Sequence, residues 1–254
     1  QTVISLKHET SVWMCLDRCH KNVTNSLNEL DKIHDALTSV SFEDYDVGPH
    51  ATFVWNRFHS VNKHIQKLKL KTLPMITTDN IVYLRELFAN PDHFIQEAVQ
   101  HAIKYDYSGF DLDFEPQKPT GNSHDGVLYA EFIDKLAKEL HKHGKMLSVD
   151  VATWTPFFNH TAIGKTAVDR INTMETYCCK DNFNDWKKHV EYIFHRVPHE
   201  KIGIGLITAN PMNDHELQQR FDFINQMGLR RVAVWVMPLP SVYVEWLRRF
   251  KLQQ

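Results

Sequence analysis

In the stretch GFDLDFEP, Gly109 to Pro116, the acids Asp111, Asp113 and Glu115 recur at every second residue, with Phe110, Leu112 and Phe114 between them. On an extended strand successive side chains go to opposite faces, so the three acids share one face and the three apolar groups the other. Carboxyls set this close cannot all ionise at their ordinary pKa. They titrate as a coupled set in which at least one keeps its proton near neutral pH. A held proton is what a general acid requires. Each uncompensated ion inside a core costs several kcal/mol, so the acidic face is expected to open onto a cleft. Pro116 directly after Glu115 marks the end of the strand there. The bland alternative is a solvated edge strand with its acids outside.

The elements that would hold this strand follow from period and punctuation. Short apolar runs predict strands at Ser11 to Leu16, Leu37 to Phe42, Thr72 to Thr77, Tyr107 to Glu115, Met146 to Thr153, Arg170 to Tyr177, Lys201 to Ile207 and Arg231 to Met237. Helices fall between them. Asn90 and Pro91 predict the start of one that runs to Lys104, and Tyr129 to His143 repeats Phe132, Leu136 and Leu140 at helical spacing before Gly144. Asn213 or Asp214 opens another that Gly228 closes, and Ser241 to Leu252 forms the last. Eight strand and helix units in 254 residues predict an α/β fold, a single-domain (β/α)8 TIM barrel over residues 1–254. No GxGxxG turn supports a dinucleotide-binding sheet, and Gly203-Ile204-Gly205 lies inside a strand, where it would relieve crowding. In such a barrel the helix-covered outer face must be apolar, which turns Phe110, Leu112 and Phe114 outward and the acids inward. Active sites of these barrels lie at the C-terminal ends of the strands, where the acids would stand.

Composition excludes several functions. The formal charge of -2, with Lys and Arg scattered, gives no basic patch for nucleic acid, and a neutral ligand such as a sugar polymer suits it better. Sixteen His residues would carry the formal charge to about +14 if all were protonated; read plainly, they are surface His without a special role. No apolar run is long enough to span a membrane. The chain lacks a basic-then-apolar leader, so Gln1 is expected to begin a processed form. The sequons Asn22-Val23-Thr24 and Asn159-His160-Thr161 fit a secreted or endolysosomal glycoprotein. Cys15, Cys19, Cys178 and Cys179 permit three pairings if both bonds form, or none if they stay reduced. A zinc site from Cys15, Cys19 and His20 is conceivable but lacks finger spacing. No metal or cofactor is expected, and the chain is expected to be a monomer.

These residues resemble the family 18 glycoside hydrolases, chitinase-like barrels whose fourth strand carries DxxDxDxE. Ser108 to Glu115 reads SGFDLDFE, which matches the last three acids and has Ser108 in place of the first. The resemblance implies that Glu115 is the general acid. It implies that Asp113 orients and stabilises the substrate's own 2-acetamido group, the nucleophile of the substrate-assisted route. Asp111 would support Asp113 by sharing a proton. The family's sixth strand ends in a Met followed closely by a Tyr that hydrogen-bonds the acetamide; Met174-Glu175-Thr176-Tyr177 sets the Tyr one residue later. Met174 and Tyr177 cannot both face inward on a regular strand, so a bulge or strand end is needed, or Glu175 and Tyr177 form the inward pair. Trp235 in AVWVMP matches the aromatic floor beneath the reacting sugar, and Trp154 in VATWTP is a further substrate-binding candidate.

The departures limit the substrate. The small-Gly-Gly signature of the third strand is replaced by TLPMITTDN, and the short span between the last two strands leaves no room for a groove-deepening insertion. A shallow cleft suits short chito-oligosaccharides or the chitobiose core of a glycan, and YSGFDLDFE with VDVATWTP comes nearest to chitobiase-like members. The expected activity is hydrolysis of β-linked N-acetylglucosamine with retention. Two alternatives stay open: a catalytically silent lectin on the same barrel, and a glycosidase or lyase of another family using Asp113 or Glu175 as nucleophile.

Overall fold

Eight apolar-alternating runs lie side by side as parallel strands and close on themselves. The computed structural model describes residues 7–16, 22–117 and 120–253. Its strands are β1 (Glu9–Met14), β2 (Ser39–Val47), β3 (Phe53–Trp55), β4 (Lys71–Thr78), β5 (Gly109–Phe114), β6 (Met146–Val151), β7 (Arg170–Thr173), β8 (Ile202–Ile207) and β9 (Arg231–Trp235). The order β1-β9-β8-β7-β6-β5-β4-β2, with β1 paired to β2, is a closed parallel barrel; β3 only extends β2 as an antiparallel hairpin. The predicted (β/α)8 barrel is thus observed, and the acidic strand is its fourth barrel strand.

Helices among the described residues are α1 (Val23–Ile33), α2 (His59–Lys67), α3 (Ile81–Ala89), α4 (Asp92–Lys104), α5 (Ser123–His141), α6 (His160–Gly164), α7 (Phe183–Phe194), α8 (Asp214–Gln226) and α9 (Ser241–Lys251). Asn213 caps α8 in a reciprocal box with Glu216, as its sequence predicts. Asn90 does not open α4. Its N–H donates to Glu86 O and closes α3, because two helices abut at this point, and Pro91 stands immediately before α4. The predicted start of α5 at Tyr129 is late as well: Asn122 and Asp125 form a capping box, and the helix begins at Ser123.

The core lies between the sheet and its helices. Phe110, Leu112 and Phe114 are fully buried on the outer face, where Phe114 packs on Tyr129 and Phe132 of α5 with ring centroids 5.5 and 6.2 Å apart. Full burial of each such side chain is worth about 1.5–3 kcal/mol, so this shell carries most of the apolar stabilisation. Inside the barrel the chemistry changes. The inward positions include Ser39 and Ser41 of β2, Asp111 of β5, Ser148 of β6, and Arg170 and Asn172 of β7, all buried. At the N-terminal end Glu9 closes the lumen, paired with Arg170 at 2.9 Å, Arg231 at 2.7 Å and Lys71 at 3.1 Å. A small apolar cluster of Trp13, Met75 and Ala233 fills the middle of the lumen beneath Tyr177 and Trp235.

Candidate active site

Parallel pairing fixes where the acids point. Asp111 lies opposite Met75 and Ser148, and Asp113 opposite Thr77, so both project into the lumen. β5 ends at Phe114, and Glu115 follows at the mouth, its N–H bonded to Thr78 O at 3.0 Å. At this C-terminal mouth a cavity of about 180 Å3 is lined by Trp13, Asp113, Glu115, Asp150, Trp154, Met174, Tyr177, Ile207 and Trp235. Pockets for drug-sized ligands run to about 300–1,000 Å3, so the enclosed part suits a single ring-sized group.

Asp111 stands one layer below and does not line the cavity. It is fully buried and its Oδ2 accepts from Trp13 Nε1 at 2.8 Å. Burial pushes its carboxyl up, and donation from Ser41, Ser148 and Trp13 together with the Arg170 charge only partly opposes this.

Tyr177 reaches the cavity because β7 stops early. The predicted strand to Tyr177 ends at Thr173, and a single 3-10 turn, Glu175–Tyr177, carries the chain onward. This strand end lets Met174 and Tyr177 both line the cavity, which an unbroken alternation forbids. Thr176 Oγ1 lies 2.6 Å from Thr173 Oγ1 and 2.8 Å from Gly205 O, pinning the turn to β7 and β8. Trp186 Nε1 donates to Thr176 O at 3.1 Å from the outer side. Gly205 leaves the space for the ring: a Cβ there would stand 2.7 Å from Tyr177 Cε1. Enclosure, reinforced by the carboxylates of Asp150, Asp113, Glu115 and Asp111, pushes the Tyr177 phenol well above its ordinary value, so it stays a neutral donor.

Glu175 is corrected by the same turn. It is buried away from the cavity, with Oε1 3.5 Å from His160 Nε2 of α6, and is not a cleft acid. Trp235 ends β9 at the cavity wall, and Trp13 meets both Tyr177 and Trp235 edge-on at 6.4 and 6.3 Å. Trp154 stands 55% exposed on the rim of the cavity.

Three lining residues were missed in the sequence: Trp13, Ile207 and Asp150. Asp150 is buried on β6, and its Oδ1 accepts from Asn172 Nδ2 at 2.9 Å. Burial and the charges of Asp111 and Asp113 raise its carboxyl well above the usual range. Its signal was present: Val149-Asp150-Val151 repeats the alternation of FDLDF.

Among the described residues the cysteines offer no free thiolate to a metal. Cys178 and Cys179 are disulfide-bonded to each other, so the cluster they make with His189 offers no thiolates. Cys15 is also disulfide-bonded, which removes its thiolate from the zinc site considered with Cys19 and His20; those two residues lie outside the described residues. Among the described residues no helix is long and apolar enough to cross a membrane.

The fold has well-defined counterparts. The spore cortex-lytic enzyme SleL of Bacillus megaterium is similar with a TM-score of 0.83 at 14% identity, covering 98% of this chain and 75% of its own. A chitinase from Chromobacterium violaceum gives 0.81 at 13% identity, with 97% and 100% covered. The Group IV chitinase of Ostrinia furnacalis gives 0.76 at 11% identity, again with 97% and 100% covered. The chain thus has the barrel fold of chitinase structures. Neither the family models nor the curated proteins yield a match to the sequence.

Proposed function

We propose that the chain is a glycosidase of the family 18 type, hydrolysing β-linked N-acetylglucosamine in chito-oligosaccharides or in the chitobiose core of a glycan. The single observation that carries the reading is convergence: Asp113, Glu115, Tyr177 and Trp235, drawn from three separate strand ends, line one cavity at the barrel mouth. Fold alone would not assign chemistry, because this barrel hosts many unrelated reactions.

The sugar bearing the scissile bond stacks its apolar face on Trp235. Glu115 gives its proton to the glycosidic oxygen as the bond to the anomeric carbon breaks. The carbonyl oxygen of the sugar's own acetamide attacks that carbon from the opposite face, forming a cyclic oxazolinium. Asp113 accepts the amide N–H and balances the positive charge, while the Tyr177 hydroxyl donates to the carbonyl oxygen and holds it in line. The Glu115 carboxylate then takes a proton from water, which opens the ring at the anomeric carbon and returns the original configuration. No metal or cofactor takes part in this route.

Secretion or an endolysosomal home accords with the disulfides and with the exposed sequon Asn22. Glu115→Gln tests the reading against the lectin alternative. Turnover of a chromogenic chitobioside should fall by at least about 1,000-fold while binding of the same sugar, read by calorimetry, is kept; unchanged product formation by both proteins would reject it.

A further inference from the structure

The cavity holds one acid more than the proposed chemistry uses. β5 and β6 pair Asp111 with Ser148 and Leu112 with Val149, and the next step of the same register sets Asp113 level with Asp150. Adjacent strands lie about 4.8 Å apart, so two inward carboxyls at one level are immediate neighbours. On the other side Asp150 pairs with Asn172 of β7, whose Nδ2 donates to Asp150 Oδ1 at 2.9 Å and to Ser148 Oγ at 3.0 Å. A Cβ on Gly203 would stand 2.4 Å from Asn172 Oδ1, so the glycine of β8 leaves room for this amide.

The charged and titratable groups facing Asp150 are Asp111 and Asp113 from β5, Glu115 from the strand end and Tyr177 from the turn after β7, while Tyr129 of α5 feels its charge from the helix side of the sheet. Arg170 lies a layer lower on β7, where it acts on Asp111. Among the described residues no Lys, Arg or His lines the cavity itself. Glu115 holds one proton as the general acid, which leaves Asp113 and Asp150 side by side on a small cavity lined by no cation, and two neighbouring carboxyls there cannot both be charged, so the pair shares a further proton. Asn172 offers only a donor to Oδ1, which leaves Oδ2 to carry the hydrogen.

We propose that Asp150 is a positioning residue that works as a neutral carboxylic acid: Asn172 clamps its Oδ1, and its Oδ2–H donates to the Asp113 carboxylate, fixing that carboxylate for the substrate amide. The role rests on the function proposed above. It adds a lateral clamp, from the neighbouring strand, to the support that Asp111 gives from below.

The test pairs kinetics with direct titration. Asp150→Asn keeps a neutral donor at the same place and Asp150→Ala removes it. The alanine variant should lose about 100-fold in kcat on a chitobioside, the cost of a misplaced group, with KM little changed. The asparagine variant should recover most of that loss. Equal impairment of the two, or none in either, overturns the proposal. In the full chain labelled with 13C at aspartate carboxyls, the Asp150 signal, identified by its disappearance in Asp150→Asn, should titrate well above about 3.9 and fall by at least about one pH unit in Asp113→Asn. Titration near the ordinary value, unmoved by that substitution, also overturns it. A wild-type chain without hydrolase activity would reject the functional reading, and the titration would still decide whether the two acids share a proton.

Discussion

Gly205→Ala tests the placement of Tyr177 without touching any group that meets the substrate. The added methyl would stand 2.7 Å from Tyr177 Cε1 and 2.0 Å from Thr173 O. Carbon atoms pack at about 3.5 Å or more, so the ring must retreat by roughly 0.8 Å, and β7 must yield by a similar or larger amount at the carbonyl. The nearer clash is with a backbone carbonyl, which gives way less readily than a side chain, so the cost stands at or above the upper end of the about 1–3 kcal/mol of ordinary overpacking, against a total stability of about 5–15 kcal/mol for a domain. A misplacement near 1 Å costs about 100-fold in rate, and kcat for a chromogenic chitobioside should drop by that order. Tyr177→Phe removes the hydroxyl itself and should fall to a similar level. The double variant should then be no slower than the worse single one, because both changes remove the same contact. Thermal melts establish that each protein is folded at the assay temperature. A folded Gly205→Ala within twofold of wild type, or a double variant whose loss is the product of the two, would refute the argument that β8 sets the position of this hydroxyl.

Two further outcomes follow from charge and from stacking. Burial alone would raise Glu9, but Arg170, the Arg231 hydrogen bond and Lys71 hold it down, from 4.5 to about 2. A depressed carboxyl stabilises the fold above its unfolded pKa and loses that contribution as pH falls, here between about 4.5 and 2, by roughly 3 kcal/mol. Urea midpoints of the wild type should therefore fall more steeply over this window than those of Glu9→Gln; parallel slopes would contradict the account. Trp235→Ala removes the proposed sugar-stacking face and should raise KM about tenfold, in line with an aromatic contact of roughly 1.5 kcal/mol, and an unchanged KM would exclude Trp235 from the sugar site.

The closed barrel and the acidic face were legible because both rest on period. Phe110, Leu112 and Phe114 need a helix-covered face, and once that is granted the direction of Asp111 and Asp113 follows. Trp235 was legible through the resemblance of AVWVMP to the family's aromatic floor, and β9 ends on it at the cavity wall. Asp150 and Trp13 obey the same alternation, yet neither sits in a run of repeated acids that draws attention to it. Glu175 went to the wrong face because alternation holds only while a strand lasts, and the 3-10 turn after Thr173 turns the glutamate toward His160. The start of α5 was hidden by Asp125 and Gly126, which interrupt the apolar pattern although one is half of a capping box. The β3 hairpin of three residues carries too short a pattern to read.

The split between an oily outer shell and a polar lumen has a consequence for change by mutation. Most apolar packing lies where strands meet helices, while Asp150, Asn172, Tyr177 and Trp235 project from the inner surface of that frame. Such a scaffold can exchange its working parts one at a time and stay assembled, so redesign of its selectivity belongs at strand ends and inward positions, and the packed exterior is best left alone.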